Sequence, residues 1–411
     1  MTTNAASTQV LAEWQTAVVQ HMPHLSHPQA VVLGLWSYGI VLARACGITT
    51  VSHLLAGLLE QQENTVRQRL REWYWEAEAK KKAAADSQRQ ELEVSTCFAP
   101  LLRWIVSLWP TAERRIALVL AASTLGAHWV VLALSVVYRG CAIPVAGCLL
   151  PANTPGAWKP HWLDLLRELR GVLPADWCVL VLADRGLYAR WLYTAIRAKH
   201  WHPFLRINAQ GRYRRQGRRR GWRLAALLPE AGQAWAGSVV CFKGCPLETT
   251  LLAMWTEGHA EPWLIVTDLA PGRAQAAWYA LRTWIEDGFK DFKRGGWQWQ
   301  TTRMTDAERG ARHWLTLAVA TLWTLSVGGA AEATLPPSSF AQLPQTHIAR
   351  RRPRRTTQPR LISCFRRGLN VILITLLRGE PWPRGRFTPE PWPDAPDLIN
   401  VPGPPDDGDD S

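Results

Sequence analysis

The sequence predicts an α/β core with a β-rich insertion, preceded by a helical region. Three observations carry this reading. Residues 1–109 read as helix throughout. Residues 114–207 give three apolar runs and then alternating helical and strand-like segments. Trp278–Trp299, WYALRTWIEDGFKDFKRGGWQW, reads as an amphipathic helix stopped by Gly295 and Gly296. The chain has 411 residues, 47% of them hydrophobic, enough for two or three domains with a sizeable core. The boundaries fall at 1–109, 110–330 with a β-rich insertion at 208–262, and 331–411.

In the first region, Val31–Cys46 is a long apolar segment. Thr49–Leu59, a polar turn at Gln61–Glu63 and Asn64–Trp75 follow as helix, turn, helix. Asn64 is the expected N-cap, with Arg67, Arg69 and Arg71 behind it. A helix-turn-helix places such a second helix in a DNA major groove, although two consecutive helices are also common in proteins of other function. Ala77–Glu91 is a charged, low-complexity helix or linker. MTTNAASTQVLAEWQ lacks the basic start and apolar run of a signal peptide.

In the second region, strands are expected near 116–122, 129–138 and 141–149. A helix follows near 161–171, a strand at 178–183, a helix at about 187–199 and a strand at 202–207. Ile116–Tyr138 carries no charge and is long enough to span a bilayer. Its small and polar residues from Ser123 to His128 and its valine-rich second half fit two buried strands better. Trp263–Thr267 is a last apolar strand leading into Asp268. Thr305-x-x-Glu308 reads as a capping box opening an apolar helix to about Val327. Beyond a linker at 330–344 lie a basic arm, Arg350–Arg360, a short helix at 361–377 and an acidic tail expected to be disordered.

Charged residues are only 19% of the chain, yet the formal balance is +14. That excess points to a polyanionic partner, most simply nucleic acid. Gly211–Arg223, GRYRRQGRRRGWR, concentrates it: Arg214, Arg215, Arg218, Arg219 and Arg220 are interleaved with Tyr213 and Trp222. This composition suits phosphate contact and base stacking, or else a solvated loop tip. The eight cysteines are scattered without a CxxC pair, which suits a reducing, cytoplasmic setting and argues against zinc. Trp235 and Trp255 are candidates for base stacking or, more simply, for core packing.

On the signature helix, Trp278, Leu281, Ile285, Phe289 and Phe292 share the apolar face. Tyr279, Arg282, Glu286, Lys290 and Lys293 fall in an adjoining arc of roughly 80°. By spacing alone this is also an ion-paired solvated face. The pattern Tyr279-x2-Arg282-x3-Glu286-x6-Lys293, with the segments VLVLADRGLYARWLY and SVVYRGCAIPVAG, resembles bacterial insertion-sequence transposases with the Tyr-Arg-Glu-Lys signature. The likeness runs from about Ile116 to Gly329. It implies a ribonuclease-H-like core and an Asp-Asp-Glu triad holding a two-Mg²⁺ site. It also implies double-stranded DNA partners (terminal inverted repeats and target DNA) and a homodimer on DNA, with no membrane association. Under the resemblance Asp184 and Glu286 are catalytic metal ligands, while Tyr279, Arg282 and Lys293 hold phosphates. Lys290, beside them on the same arc, joins that set.

The resemblance also exposes a gap. The family's first Asp precedes a small-residue turn, and here Ala121 stands in that place. No carboxylate lies between Glu113 and Asp164, so no neighbour substitutes. Ala127 and Gly147 are further departures. Asp268 is not a replacement, because the family carries an Asp there alongside a complete triad. Two functions follow as expectations: a DNA transposase that is cleavage-defective as written, or a cleavage-dead DNA-binding regulator of transposition.

Overall fold

The computed structural model describes residues 2–76, 90–126, 128–152, 158–218, 220–336 and 362–403, without the side chains of residues 2–6. The basic arm 350–360, Ala127, Arg219 and the acidic tail beyond Gly403 lie outside the described residues. The three apolar runs form antiparallel strands β1 (Arg115–Leu125), β2 (Trp129–Tyr138) and β3 (Cys141–Pro151). β2 is buried along its whole length, as an uncharged strand covered on both faces must be. Ile116–Tyr138 is therefore two paired strands, with Gly126 entering the turn at φ 60°.

β4 (Cys178–Ala183) runs parallel to β1, and β5 (His202–Ile207) parallel to β4. The connecting segments carry α6 (Lys159–Glu168) and α7 (Arg190–Arg197). The β-rich segment after β5 does not form a separate sheet. It contributes β6 (Arg212–Arg215), β7 (Trp222–Arg223), β8 (Gln233–Cys241) and β9 (Leu247–Trp255). With β10 (Trp263–Thr267) these extend the core sheet in the order β3-β2-β1-β4-β5-β10-β9-β8-β6-β7. A two-residue β11 (Ile399–Asn400) adds in parallel to β8. The architecture is mixed α/β with one large, mostly antiparallel sheet, compatible with a ribonuclease-H-like core.

Helices cover the sheet. α1 (Thr2–His21), α2 (His27–Ala43), α3 (Ile48–Leu59), α4 (Glu63–Glu72) and α5 (Phe98–Ser107) precede β1. α9 (Ala307–Ala331) is long and apolar enough to cross a membrane, yet 89% of its apolar window is buried inside the protein. It packs against β3, α2 and α10 (Cys364–Arg378). The Asp306 side chain caps α9 by accepting from Arg309 N at 2.8 Å, so the cap lies one residue beyond the expected Thr305. α4 likewise starts at Glu63, with Gln62 as N-cap and no side-chain cap bond, rather than behind Asn64.

The signature segment departs most from expectation. It is not one helix but a 3₁₀ segment, Ala276–Thr283, followed by α8 (Trp284–Phe292). In a 3₁₀ turn, side chains three apart eclipse, so Tyr279 and Arg282 are brought nearly into line. Gly288 explains how close α8 comes to the sheet: a Cβ there would meet the Ala142 Cβ at 2.6 Å.

Candidate active site and nucleic-acid surface

Alternation along the strands sets the site. Ala117, Val119 and Ala121 of β1, with Leu180 and Leu182 of β4, face the core that contains Tyr279, Leu281 and Ile285. Ile116, Leu118 and Leu120 face the opposite core. The parallel register pairs Leu120 with Ala183. The next residues, Ala121 within β1 and Asp184 just past the carboxyl end of β4, therefore stand side by side, beneath the segment that carries Glu286.

One side chain joins the two carboxylates. Arg282 donates from Nη2 to Asp184 Oδ2 at 3.1 Å and from Nη1 to Glu286 Oε1 at 2.5 Å. The span of a guanidinium keeps those two oxygens within about 8 Å of each other. The other oxygen of Asp184 accepts the backbone N–H of Gly186 at 3.0 Å and of Leu187 at 3.2 Å. Asp184 thus closes the turn after β4, while the N-cap of α7 is Ala189.

A cleft of about 630 Å³ opens beside this pair, lined by Ala121, Ser123, Glu286, Lys290, Lys293 and Arg294 among others. Lys293 donates to Ser123 Oγ at 2.8 Å, and burial lowers its pKa from the ordinary value. Lys290 is mostly exposed and pairs with Asp287 at 2.5 Å; that hydrogen bond raises its pKa. Ala121 is 3% exposed, and position 121 presents only a methyl group to the cleft.

The residues present do not fit a two-cation centre. Both remaining carboxylates already bond a guanidinium, and the third position offers no donor atom. Among the described residues no group of three or more His, Cys, Asp or Glu is arranged to hold a metal ion. Asp268 lies after β10, which runs antiparallel to β5, and pairs with His202 at the start of β5. That is the end of the sheet opposite Asp184.

Tyr279 is not where a phosphate contact requires it. It is 1% exposed, packed edge-on against Trp263 at 5.2 Å, and burial pushes its phenol up to about 12. Its partner is Arg206, which also bonds Glu261 at 2.9 Å, and Arg185 bonds the same carboxylate at 2.6 Å. Spacing alone gives no sign of this brace, because it joins four separate segments.

The arginine-rich segment forms a β6–β7 hairpin. Arg218 and Arg220 are exposed at its tip, Arg214 donates to the Arg218 carbonyl at 2.9 Å, and Arg215 is half-buried. Tyr213 points inward against Trp222 and Trp235. Trp235 is 8% exposed, and Trp255 donates to the His259 carbonyl at 3.0 Å, so both serve packing.

A second basic cleft, also about 630 Å³, escapes the sequence reading. It lies between α3–α4 and the start of α9 and is lined by Arg71, Trp75, Arg303 and Arg309, with Thr301 and Thr302. These three arginines make no ion pair or side-chain hydrogen bond among the described residues. The cleft is fixed by bonds across the chain: Trp73 Nε1 donates to Arg312 O at 3.0 Å, Arg312 Nη1 to Tyr74 O at 2.8 Å, and Tyr74 Oη lies 2.8 Å from His313 Nδ1.

Residues 157–323 match the family model described as the transposase DDE domain. That supports a transposase of the DDE type. The matched span takes in Asp184, Arg282, Glu286 and Lys293 but begins after β1, so Ala121 lies outside it. No curated protein matches the chain.

Proposed function

We propose that this chain binds transposon-end DNA as a DDE transposase whose strand-cleavage chemistry is disabled at position 121. The observation that carries the proposal is the placement of the Ala121 methyl beside Asp184 and beneath Glu286, in a cleft otherwise rimmed by Lys290, Lys293 and Arg294. Such a rim attracts a phosphate backbone. A two-carboxylate set lacks the charge of the full triad, and groups acting as one unit fail together.

Three basic surfaces support DNA as the partner: this cleft, the β6–β7 hairpin with Arg214, Arg215, Arg218 and Arg220, and the Arg71–Arg303–Arg309 cleft. Paired ends would be held by a homodimer on DNA. Tyr279 acts here as a brace for Arg206 rather than as a phosphate ligand. A regulator that occupies ends without cutting them is the second reading, favoured by the same missing carboxylate.

The test pairs binding with excision. The chain should shift DNA carrying the inverted repeats that flank its gene, yet leave a marked plasmid element in place. Excision at the level of a DDE transposase with a complete triad, acting on its own element, would remove the claim of a disabled site. Failure to bind terminal repeats more tightly than unrelated DNA would remove the claim of end recognition.

A further inference from the structure

The signature arc suggests that Arg282 points at a ligand; instead its guanidinium lies between two of the protein's own carboxylates. We infer that the Arg282 guanidinium is the built-in cation of this site, holding Asp184 and Glu286 together and excluding divalent ions from them in the chain as written. The inference deepens the proposed function, since it states what keeps the two remaining carboxylates in place.

Arg282 is 11% exposed, whereas Asp184 and Glu286 are 42% and 36% exposed. The guanidinium therefore sits on the core side of the pair. Its fork matches two carboxylates in a way that a point charge does not. Asp184 has a protein donor on each oxygen: two backbone N–H groups on one and Arg282 on the other.

A divalent cation entering between Asp184 and Glu286 must displace Arg282, or lie against its positive charge. Hard cations seek several anionic oxygens, and Ala121 supplies none from β1. Lys293, fixed on Ser123 in the same cleft, adds a second positive charge. The charge of the two carboxylates is already partly balanced by Arg282. The pair thus works as a clasp that fastens the 3₁₀ segment to the end of β4.

The experiment uses the full-length chain, E286Q, R282M and R282M/E286Q, each titrated with Mn²⁺ by calorimetry and by the paramagnetic resonance signal of free Mn²⁺. No DNA is present, so this test fails independently of DNA binding. The chain as written and E286Q should bind Mn²⁺ alike. R282M should gain a site at least about tenfold tighter, in line with loss of a charge-assisted competitor, and R282M/E286Q should lose it. Mn²⁺ binding to the original chain that E286Q weakens would overturn the inference, as would a folded R282M without the new site. If R282M does not fold, the comparison of the original chain with E286Q decides by itself.

Discussion

Ala121 lines the cleft at the edge of the core that holds Leu281 and Ile285, so a longer side chain at this position must project into the cleft, on the side of Asp184 and Glu286. An Asp there adds the charge and the donor that the two existing carboxylates cannot supply while they hold Arg282. Ala121→Asp should therefore raise Mg²⁺-dependent nicking of terminal-repeat DNA above the background of the original chain, and adding E286Q should abolish the gain. If the original chain nicks equally well, another ligand fills the gap. Gly147 is a different kind of departure. A Cβ on it would meet Trp314 Cζ2 at 2.8 Å, so the glycine is required by packing of α9 on β3. Gly147→Ala should lower unfolding stability by about 1–3 kcal/mol, the usual range for overpacking, measured by denaturant titration. Neither Tyr279 nor Gly147 was legible at this level from the sequence. Periodicity gives the direction of a side chain from its own helix, not what another segment has put in its way.

Elements built from local pattern were the most readable. β4, β5 and β10 lie where their apolar runs end in polar residues, and β1 to β3 differ from expectation only at their ends. The signature segment was less readable, because a 3₁₀ turn and an α-helix share the same apolar spacing over two turns. The far side of α8 carries a residue that the signature does not include. Asp291 packs on Cys141 of β3, with Asp287 and Lys290 on its own helix and Arg366 on α10 facing it. Burial, then Asp287, pushes its carboxyl from 3.8 to about 7. The folded chain therefore retains a proton that the unfolded chain has released between those values. The stability this contributes is present below the unfolded value and is lost as pH rises through about 7. Asp291→Asn keeps the shape without the charge. Melting temperatures of the two proteins should agree at or below about pH 4, and the advantage of the variant should grow as pH rises to about 7. A constant difference across that range would mean that Asp291 is ionised throughout.

At the scale of the whole molecule, the arginine hairpin was legible as a charge cluster, but the cleft of Arg71, Arg303 and Arg309 was not. Its walls come from segments more than two hundred residues apart, joined by the Trp73, Tyr74, Arg312 and His313 bonds. No window of sequence contains that arrangement. The cleft has a direct link to the active-site cleft: Gln300 lines one and Thr301 the other. A duplex with its end at Lys290, Lys293 and Arg294 would run across residues 300–304 to reach Arg303, Arg309 and Arg71, so the helical region and the core would grip one continuous DNA. The hairpin lies elsewhere, beyond β8 on the extended part of the sheet, and would contact a different length of DNA. These two surfaces should separate in a salt titration. Each phosphate neutralised contributes about −0.9 to the slope of log K against log salt. R71A/R303A/R309A should flatten that slope by up to about 3 for three lost phosphate contacts, and should shorten the footprint next to the terminal base pairs. R214A/R218A/R220A should flatten the slope while leaving that end of the footprint intact. If both triple variants erase the same part of the footprint, the two basic surfaces bind one stretch of DNA and the track across residues 300–304 is wrong.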